Sequence, residues 1–269
     1  MHTRNIFFAL LLLPLCLQAC GNQNETNNNT KDSMTQSNSG YQAPNYAPYE
    51  TDCFKTEKGR NVAITFIKHG TLMLDIDGYI IHIDPVSMFG TDYSKLPKAD
   101  LLLITHEHHD HFDMNTAEVV LKENSLFYSN GQVAKLSGKS KAIKAGETFT
   151  TENNITVIAT EAYNNSKGHE KFHPKGQNVG FLVCVDDINI YIAGDTEDIP
   201  EMAELKDIDI SFLPVNQPYT MTPQQCINAA EMFKPSILYP YHYGETDLTP
   251  IVEHFKDNPE VEVRIKQLQ

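Results

Sequence analysis

The sequence predicts a mixed α/β domain, on three observations. Short β-rich runs are joined by two-residue turns, as at Asp77-Gly78 and Asp186-Asp187. Stretches with helical patterning fall between strands in both halves of the chain. The apolar run Leu101-Leu102-Leu103-Ile104, of a length that suits a buried strand, leads straight into a cluster of histidines.

Taken in order, residues 62–68 and 71–76 alternate as strands, Asp77-Gly78 is a hairpin turn, and 79–83 is a strand closed by Asp84-Pro85. Residues 85–98 form a long loop expected near a site mouth. After the histidine cluster come a helix over 114–123, a short strand at 126–128 and a helix over 131–136. Strands follow at 142–144, 147–150 and 155–160, separated by turns at Ala145-Gly146 and Asn153-Asn154. Residues 161–178 make an irregular loop holding His169 and His173, longer than the roughly 12–15 residues that mark a functional or disordered loop. A hairpin spans 179–185 and 188–193, and a strand covers 208–213. Thr222 caps a helix that opens with Pro223 and runs to Phe233. A strand at 236–239, a helix over 249–256 and a strand at 261–265 complete the chain.

The first part of the chain reads differently. Residues 1–19 form a targeting segment: Arg4, then an apolar run shorter than the roughly 20 residues of a membrane-spanning helix, ending in Leu17-Gln18-Ala19-Cys20. That ending resembles a bacterial lipobox, so cleavage before Cys20 and lipidation of its thiol are expected, giving a lipoprotein anchored to a membrane of the cell envelope. An ordinary secretory signal with an incidental cysteine is the plainer alternative. Residues 20–59, rich in Asn, Gln, Thr and Ser, read as a polar tether that cannot bury enough surface to order itself. Tyr41, Pro44, Tyr46, Pro48 and Tyr49 could dock its last part on the domain. Residues 60–269 then make one domain. Of the five cysteines, Cys53, Cys184 and Cys226 have no metal-ligand spacing, and the last two read as core residues. A net charge of −14 makes the chain a poor partner for nucleic acid, whose phosphates need basic patches.

The chemistry concentrates in His106, His108, Asp110 and His111, an H-x-H-x-D-H pattern. Imidazole and carboxylate suit zinc, manganese or iron. On extended chain His106 and His108 point the same way and can share one ion, while Asp110 and His111 can face a second beside it. Asp195 follows Gly194 at a strand end, where it can approach a metal, although an Asp before Thr196 and Glu197 also suits a helix N-cap. His242 lies just past a strand. Asp84 could orient a ligand imidazole, and His69 reads either as a packed residue or as a group close behind the ligands.

The H-x-H-x-D-H stretch, with Ala193-Gly194-Asp195-Thr196 and Tyr239-Pro240-Tyr241-His242-Tyr243, resembles the metal-binding signature of the metallo-β-lactamase superfamily. Within it the chain looks most like the metal-dependent hydrolase branch that holds the L-ascorbate-6-phosphate lactonases. The resemblance implies a four-layer αββα sandwich of the α/β class and two divalent metal ions, zinc by default. It implies that His106, His108 and His173 hold one ion, that Asp110, His111 and His242 hold the other, and that Asp195 bridges. It further implies a hydrolase whose nucleophile is a water activated between the ions, with Asp110 orienting it, and a small-molecule lactone, ester or amide substrate, with or without a phosphate. A phosphodiesterase or phospholipase of the same fold is the second reading, and a non-catalytic metal- or substrate-binding lipoprotein the third. No Gly-His-Thr ligand segment of the β-lactamase kind is present, and the domain has no room for the insertion of the nuclease members. Between His169 and His173, the latter is preferred because Pro174 restricts its backbone and because Phe172-His173-Pro174-Lys175-Gly176 resembles the branch's ligand segment. Tyr163, His169 and Tyr219 are candidates for donating a proton to the leaving group.

Overall fold

A computed structural model describes residues 44–268. The expected targeting segment, Cys20 and residues 20–43 of the expected tether lie outside the described residues. Two seven-stranded sheets carry the fold. One contains, in spatial order, β1 (Glu50–Lys55), β2 (Asn61–Lys68), β3 (Thr71–Ile76), β4 (Tyr79–Ile83), β5 (Ala99–Ile104), β6 (Leu121–Ser129) and β7 (Lys141–Ala142). The other contains β8 (Thr148–Thr150), β9 (Ile155–Ala162), β10 (Asn178–Val185), β11 (Ile188–Ile192), β12 (Ile210–Pro214), β13 (Ile237–Tyr241) and β14 (Glu262–Val263).

Both sheets follow one plan. Strands β1 to β4 pair antiparallel and β4 to β7 parallel. Strands β8 to β11 pair antiparallel and β11 to β14 parallel. Hairpins need only tight turns, and Asp77 and Gly78 supply the two positive φ angles (50° and 88°) that such a turn requires. Parallel neighbours need crossovers. Helices α1 (Met114–Val120), α2 (Gly131–Ser137), α3 (Pro223–Phe233) and α4 (Thr249–Phe255) sit in the β5–β6, β6–β7, β12–β13 and β13–β14 connections. Asp113 caps α1, and Thr222 with Gln225 closes a reciprocal capping box on α3.

Strand β5 is apolar throughout because both its faces are covered. Leu101 and Leu103 join Phe66, Leu72, Phe181, Ile190, Phe212 and Tyr239 in the core between the sheets. Leu102 and Ile104 pack the opposite way, with Ala117 and Val120 of α1 and Val133 of α2. On the far side, Tyr191, Leu213 and Leu238 pack with Cys226 and Phe233 of α3 and Ile251 and Phe255 of α4. The layers are therefore αββα, as expected.

Two boundaries differ most in consequence from the sequence reading, the other elements shifting by no more than three residues at their ends. The tether expected to reach residue 59 overlaps β1, an edge strand antiparallel to β2. Its polar look is deceptive: Phe54 is buried in the core, and Asp52 is buried because the Tyr239 hydroxyl donates to it at 2.6 Å and Lys266 Nζ sits 2.6 Å away. Helix α1 stops at Val120 rather than 123, because residues from Leu121 onward pair with β5 as β6. Cys53, Cys184 and Cys226 are free thiols.

A pH-dependent element sits at the start of β12. Asp209 accepts a hydrogen bond from the Asn189 amide at 2.7 Å, and burial, together with the nearby Asp187 and Asp207 carboxylates, pushes its pKa up to about 6. A carboxyl raised above its unfolded value of roughly 4 holds its proton more tightly when folded. Its stabilising contribution is therefore full below about pH 4 and lost as the pH rises through about 6. Asp209→Asn keeps an acceptor for Asn189 without the charge. It is expected to stabilise the fold at pH 7 by about 1 kcal/mol, discounted for partial exposure, and to change little at pH 4. Denaturant titrations at both pH values check this, and an equal effect at both contradicts it.

Candidate metal centre

The site forms where strands end. Asp84 follows β4, Thr105 and His106 follow β5, Gly194 and Asp195 lie just past β11, and His242 directly follows β13. These are carboxyl ends of parallel strands, the edge where open α/β sheets place ligands. His69 and Gly70 add the turn between β2 and β3, and the loop after β9 adds His173.

All seven residues expected to hold metal come together. His106, His108, His173 and Asp195 form one group, and Asp110, His111, His242 and His69 a second; within each group one ligand atom per residue lies within 4.8 Å of all the others. In the first, His108 Nδ1 is 3.1 Å from His106 Nε2 and 3.3 Å from His173 Nε2. Asp195 stands between the groups with its oxygens divided. Oδ2 is 3.3 Å from His173 Nε2 and 3.7 Å from His106 Nε2. Oδ1 is 3.3 Å from His111 Nε2 and 3.5 Å from His242 Nε2. Asp110 Oδ2 is 3.5 Å from His242 Nε2 and 3.3 Å from His69 Nε2. His109, the unassigned histidine of the motif, points outward with 85% of its side chain exposed.

The outward nitrogens of the ligand candidates are anchored. Asp84, fully buried, accepts from the Thr105 amide at 2.7 Å, the Thr105 hydroxyl at 2.6 Å and His111 Nδ1 at 2.7 Å. With its proton committed to Asp84, the Thr105 hydroxyl accepts from His106 Nδ1 at 2.9 Å. One carboxylate thereby sets the tautomer of an imidazole in each group, turning both Nε2 atoms toward Asp195. His173 Nδ1 is held by Asn164 Oδ1 at 2.7 Å and the Tyr219 carbonyl at 3.1 Å. His111 also needs Gly70, since a Cβ there would lie 2.8 Å from its Cε1. Gly194 is similarly required: its φ is +66° and a Cβ would lie 3.2 Å from Thr105.

The donor set fits metal ions. His242 is 2% exposed, yet neither of its ring nitrogens has a hydrogen-bond partner among the described residues. His111 Nε2 and Asp195 Oδ1 are likewise buried without one. Buried polar atoms are nearly always paired, so lone pairs converging from several residues fit cations. The electrostatics agree at His106, His108 and Asp195. At His111 burial lowers the pKa, but the Asp195 and Asp84 carboxylates outweigh it and raise it, the pull that an anionic pocket exerts on a cation. Burial, reinforced at His106 by the neighbouring His111, lowers the pKa of His106 and His108 and keeps them neutral, the state that binds metal. Burial alone would raise Asp195, but His242 and His111 outweigh it and hold the carboxyl well below the usual range.

His69 is the residue the sequence left undecided. It lies against Asp110, its ring 3.7 Å from that of His242 and 4.8 Å from that of Phe89. Thr105 and Asn164 were not anticipated at all. Thr105 adjoins the motif and could have been suspected, whereas Asn164 carries no sequence signal. The three proton-donor candidates separate. Tyr163 donates to Glu201 at 2.9 Å, His169 Nδ1 is held by the buried Glu197 at 3.0 Å, and Tyr219 is exposed.

A family model described as the beta-lactamase superfamily domain matches residues 63–242. A UPF0173 metal-dependent hydrolase of Anoxybacillus flavithermus is 30% identical over 195 residues, covering 67% of this chain and 85% of that one. Another from Nanoarchaeum equitans is 28% identical over 188 residues, covering 67% and 83%. A solved structure from Parabacteroides distasonis, described as a candidate metal-dependent hydrolase, is 49% identical, covers 82% of this chain and 100% of that chain, and superposes with a TM-score of 0.80. The metallo hydrolase Igni18 of Ignicoccus hospitalis is 25% identical, covering 77% and 95%, with a TM-score of 0.64. The chain belongs to the metallo-β-lactamase superfamily.

The two loop histidines make different contacts, so their loss is expected to differ in kind. His173→Ala should lower metal content and turnover together, while His169→Ala should keep its metal. Metal analysis of the two dialysed variants checks this; the reverse pattern overturns the assignment of His173.

Proposed function

We propose that this protein is a metal-dependent hydrolase that uses two divalent ions to cleave a lactone, ester or amide bond. The observation that carries the proposal is Asp195, whose two oxygens face two separate sets of imidazole nitrogens. His106, His108 and His173 would hold one ion, Asp110, His111 and His242 the other, and Asp195 both. Zinc is the default, with manganese or iron compatible with the same donors. Two such ions supply Lewis acidity and lower the pKa of a shared water toward neutrality.

The chain's own groups do the rest. Asp84 and Thr105 keep His106 and His111 from rotating or switching tautomer. Asp110 keeps 24% of its side chain open to solvent and, tied through Oδ2 to His69, is suited to accept a hydrogen bond from the attacking water and aim it. Kinship with proteins described as metal-dependent hydrolases supports the reaction class. Lactones are placed first in the substrate class because the sequence motifs suggest a resemblance to the L-ascorbate-6-phosphate lactonases. We further propose that the mature chain is held at a membrane of the cell envelope by a lipid on Cys20, the reading suggested by Leu17-Gln18-Ala19-Cys20.

Purified protein is expected to hold about two divalent ions per chain and to turn over members of a lactone, ester and amide panel. Asp195→Ala is expected to lower occupancy at both sites and reduce turnover by a factor of about 100 or more. Full activity after dialysis against a strong chelator would falsify the mechanism.

A further inference from the structure

The loop that delivers His173 has little core of its own. From Asn165 to Phe172 every residue is exposed or half-buried. His173, directly after that stretch, is nevertheless 1% exposed, with Nε2 3.3 Å from Asp195 Oδ2. A segment with few packed side chains keeps a fixed geometry only where hydrogen bonds from the rest of the fold supply it.

Those hydrogen bonds come from the strand end that carries Asp195. Two residues on, Glu197 is a completely buried carboxylate that lies outside both ligand groups. A buried carboxylate needs donors to offset its desolvation, and the donors to Glu197 among the described residues all belong to the His173 loop. Its Oε2 accepts from the Asn165 amide at 2.8 Å and the Ser166 amide at 2.6 Å, and Oε1 from His169 Nδ1 at 3.0 Å. The Glu197 amide donates to the Tyr163 carbonyl at 3.0 Å, and the Tyr163 amide donates to the Thr196 hydroxyl at 3.1 Å. Asn164 is thereby bracketed, with Tyr163 held on one side and Asn165 and Ser166 on the other.

Asn164 passes this order to the imidazole. Its Oδ1 accepts from His173 Nδ1 at 2.7 Å, its amide donates to the His173 carbonyl at 2.9 Å, and its Nδ2 donates to the Tyr219 carbonyl at 2.8 Å. Hydrogen bonds and adjacent residues thus lead from Glu197 to His173 without a gap. The second ligand group is supported from elsewhere, His111 by Asp84 and Asp110 by His69.

We propose that Glu197 is a positioning residue for one ion site only. By clamping the loop at Asn165 and Ser166 it sets His173, and with it the affinity of the site formed by His106, His108 and His173. The site of Asp110, His111 and His242 does not depend on it. This rests on the two-ion reading above and goes beyond it, because it gives the two sites separate supports although Asp195 joins them. Hydrogen bonding, rather than charge, is the operative property. Both amides converge on Oε2, so a glutamine oxygen in that place keeps them. The glutamine nitrogen then faces His169 Nδ1, which accepts once the ring carries its proton on Nε2.

Cobalt binding tests this without turnover. Dialysed protein is titrated with Co(II), which suits these nitrogen and oxygen donors, while bound metal is counted by elemental analysis and visible absorption is followed. Wild-type protein is expected to take up about two ions. Glu197→Ala should weaken one ion by about tenfold or more, the usual cost of removing a partner behind a ligand, and the other by less than about threefold. The spectrum of its one-ion form should match that of His173→Ala and differ from that of His242→Ala. Glu197→Gln should keep both ions. If Glu197→Ala does not fold, Glu197→Met, which keeps the volume and lacks the acceptor, takes its place. Equal weakening of both ions, a one-ion spectrum that matches His242→Ala, or loss of an ion from Glu197→Gln overturns the clamp. Wild-type protein that binds fewer than two cobalt ions overturns the two-ion reading itself, and the selectivity of the clamp falls with it.

Discussion

Asp84 is the group on which the geometry of the centre depends. It is a fully buried carboxylate with three donors, and two of its contacts end on imidazoles in different groups: His111 directly, His106 through Thr105. Burial pushes its pKa up, and the His111 and Thr105 hydrogen bonds oppose that rise. The same contacts that offset its desolvation therefore also aim the metal-facing nitrogens. Asp84 can do this because it lies at the end of β4, next to β5, so that its carboxylate meets the first residue beyond β5.

Backbone strain accompanies this arrangement. His69, Asp84 and His242 have φ values of 53°, 47° and 50°, a region that non-glycine residues seldom occupy and that costs on the order of 1 kcal/mol each. Each directly follows a strand and turns its side chain toward the centre. Surrounding hydrogen bonds hold them there: the His69 amide donates to the Leu268 carbonyl, the His242 amide to the His69 carbonyl, and the Asp84 amide to the Leu103 carbonyl. The C-terminal segment, the β2–β3 turn and the end of β13 are thereby coupled to one another beneath His69 and His242.

What the sequence made legible follows from range. The H-x-H-x-D-H stretch is a local pattern, and local geometry after a buried strand is enough to bring His106, His108, Asp110 and His111 together. A mixed α/β domain was legible because β5, with both faces covered, reads as a continuous apolar run, and because turn residues such as Asp77-Gly78 mark the hairpins, whereas the αββα layering came only from the resemblance to the metallo-β-lactamase superfamily. Strand β1 was hidden because its buried Asp52 is hydrogen-bonded by Tyr239, Arg264 and Lys266, residues roughly two hundred positions away. The end of α1 was misread because Leu121 onward pairs with β5, and no helix-stop signal in the sequence announces that. Asn164 was illegible for a related reason: its task, holding His173, exists only once the loop closes through the Asn164–His173 backbone bond at 2.9 Å. His69 could be narrowed to two roles from sequence, and its ring contact with His242 joins residues from opposite ends of the domain.

The central claim is that Asp195 joins two ion sites whose other ligands come from separate parts of the chain. Anomalous diffraction from crystals of the metal-loaded protein, collected at the metal's absorption edge, tests it most directly. The account expects two peaks roughly 3.5–4 Å apart, one among His106, His108 and His173 and one among Asp110, His111 and His242, with an Asp195 oxygen facing each. A single peak, or a pair that leaves Asp195 outside the coordination of either ion, would contradict it.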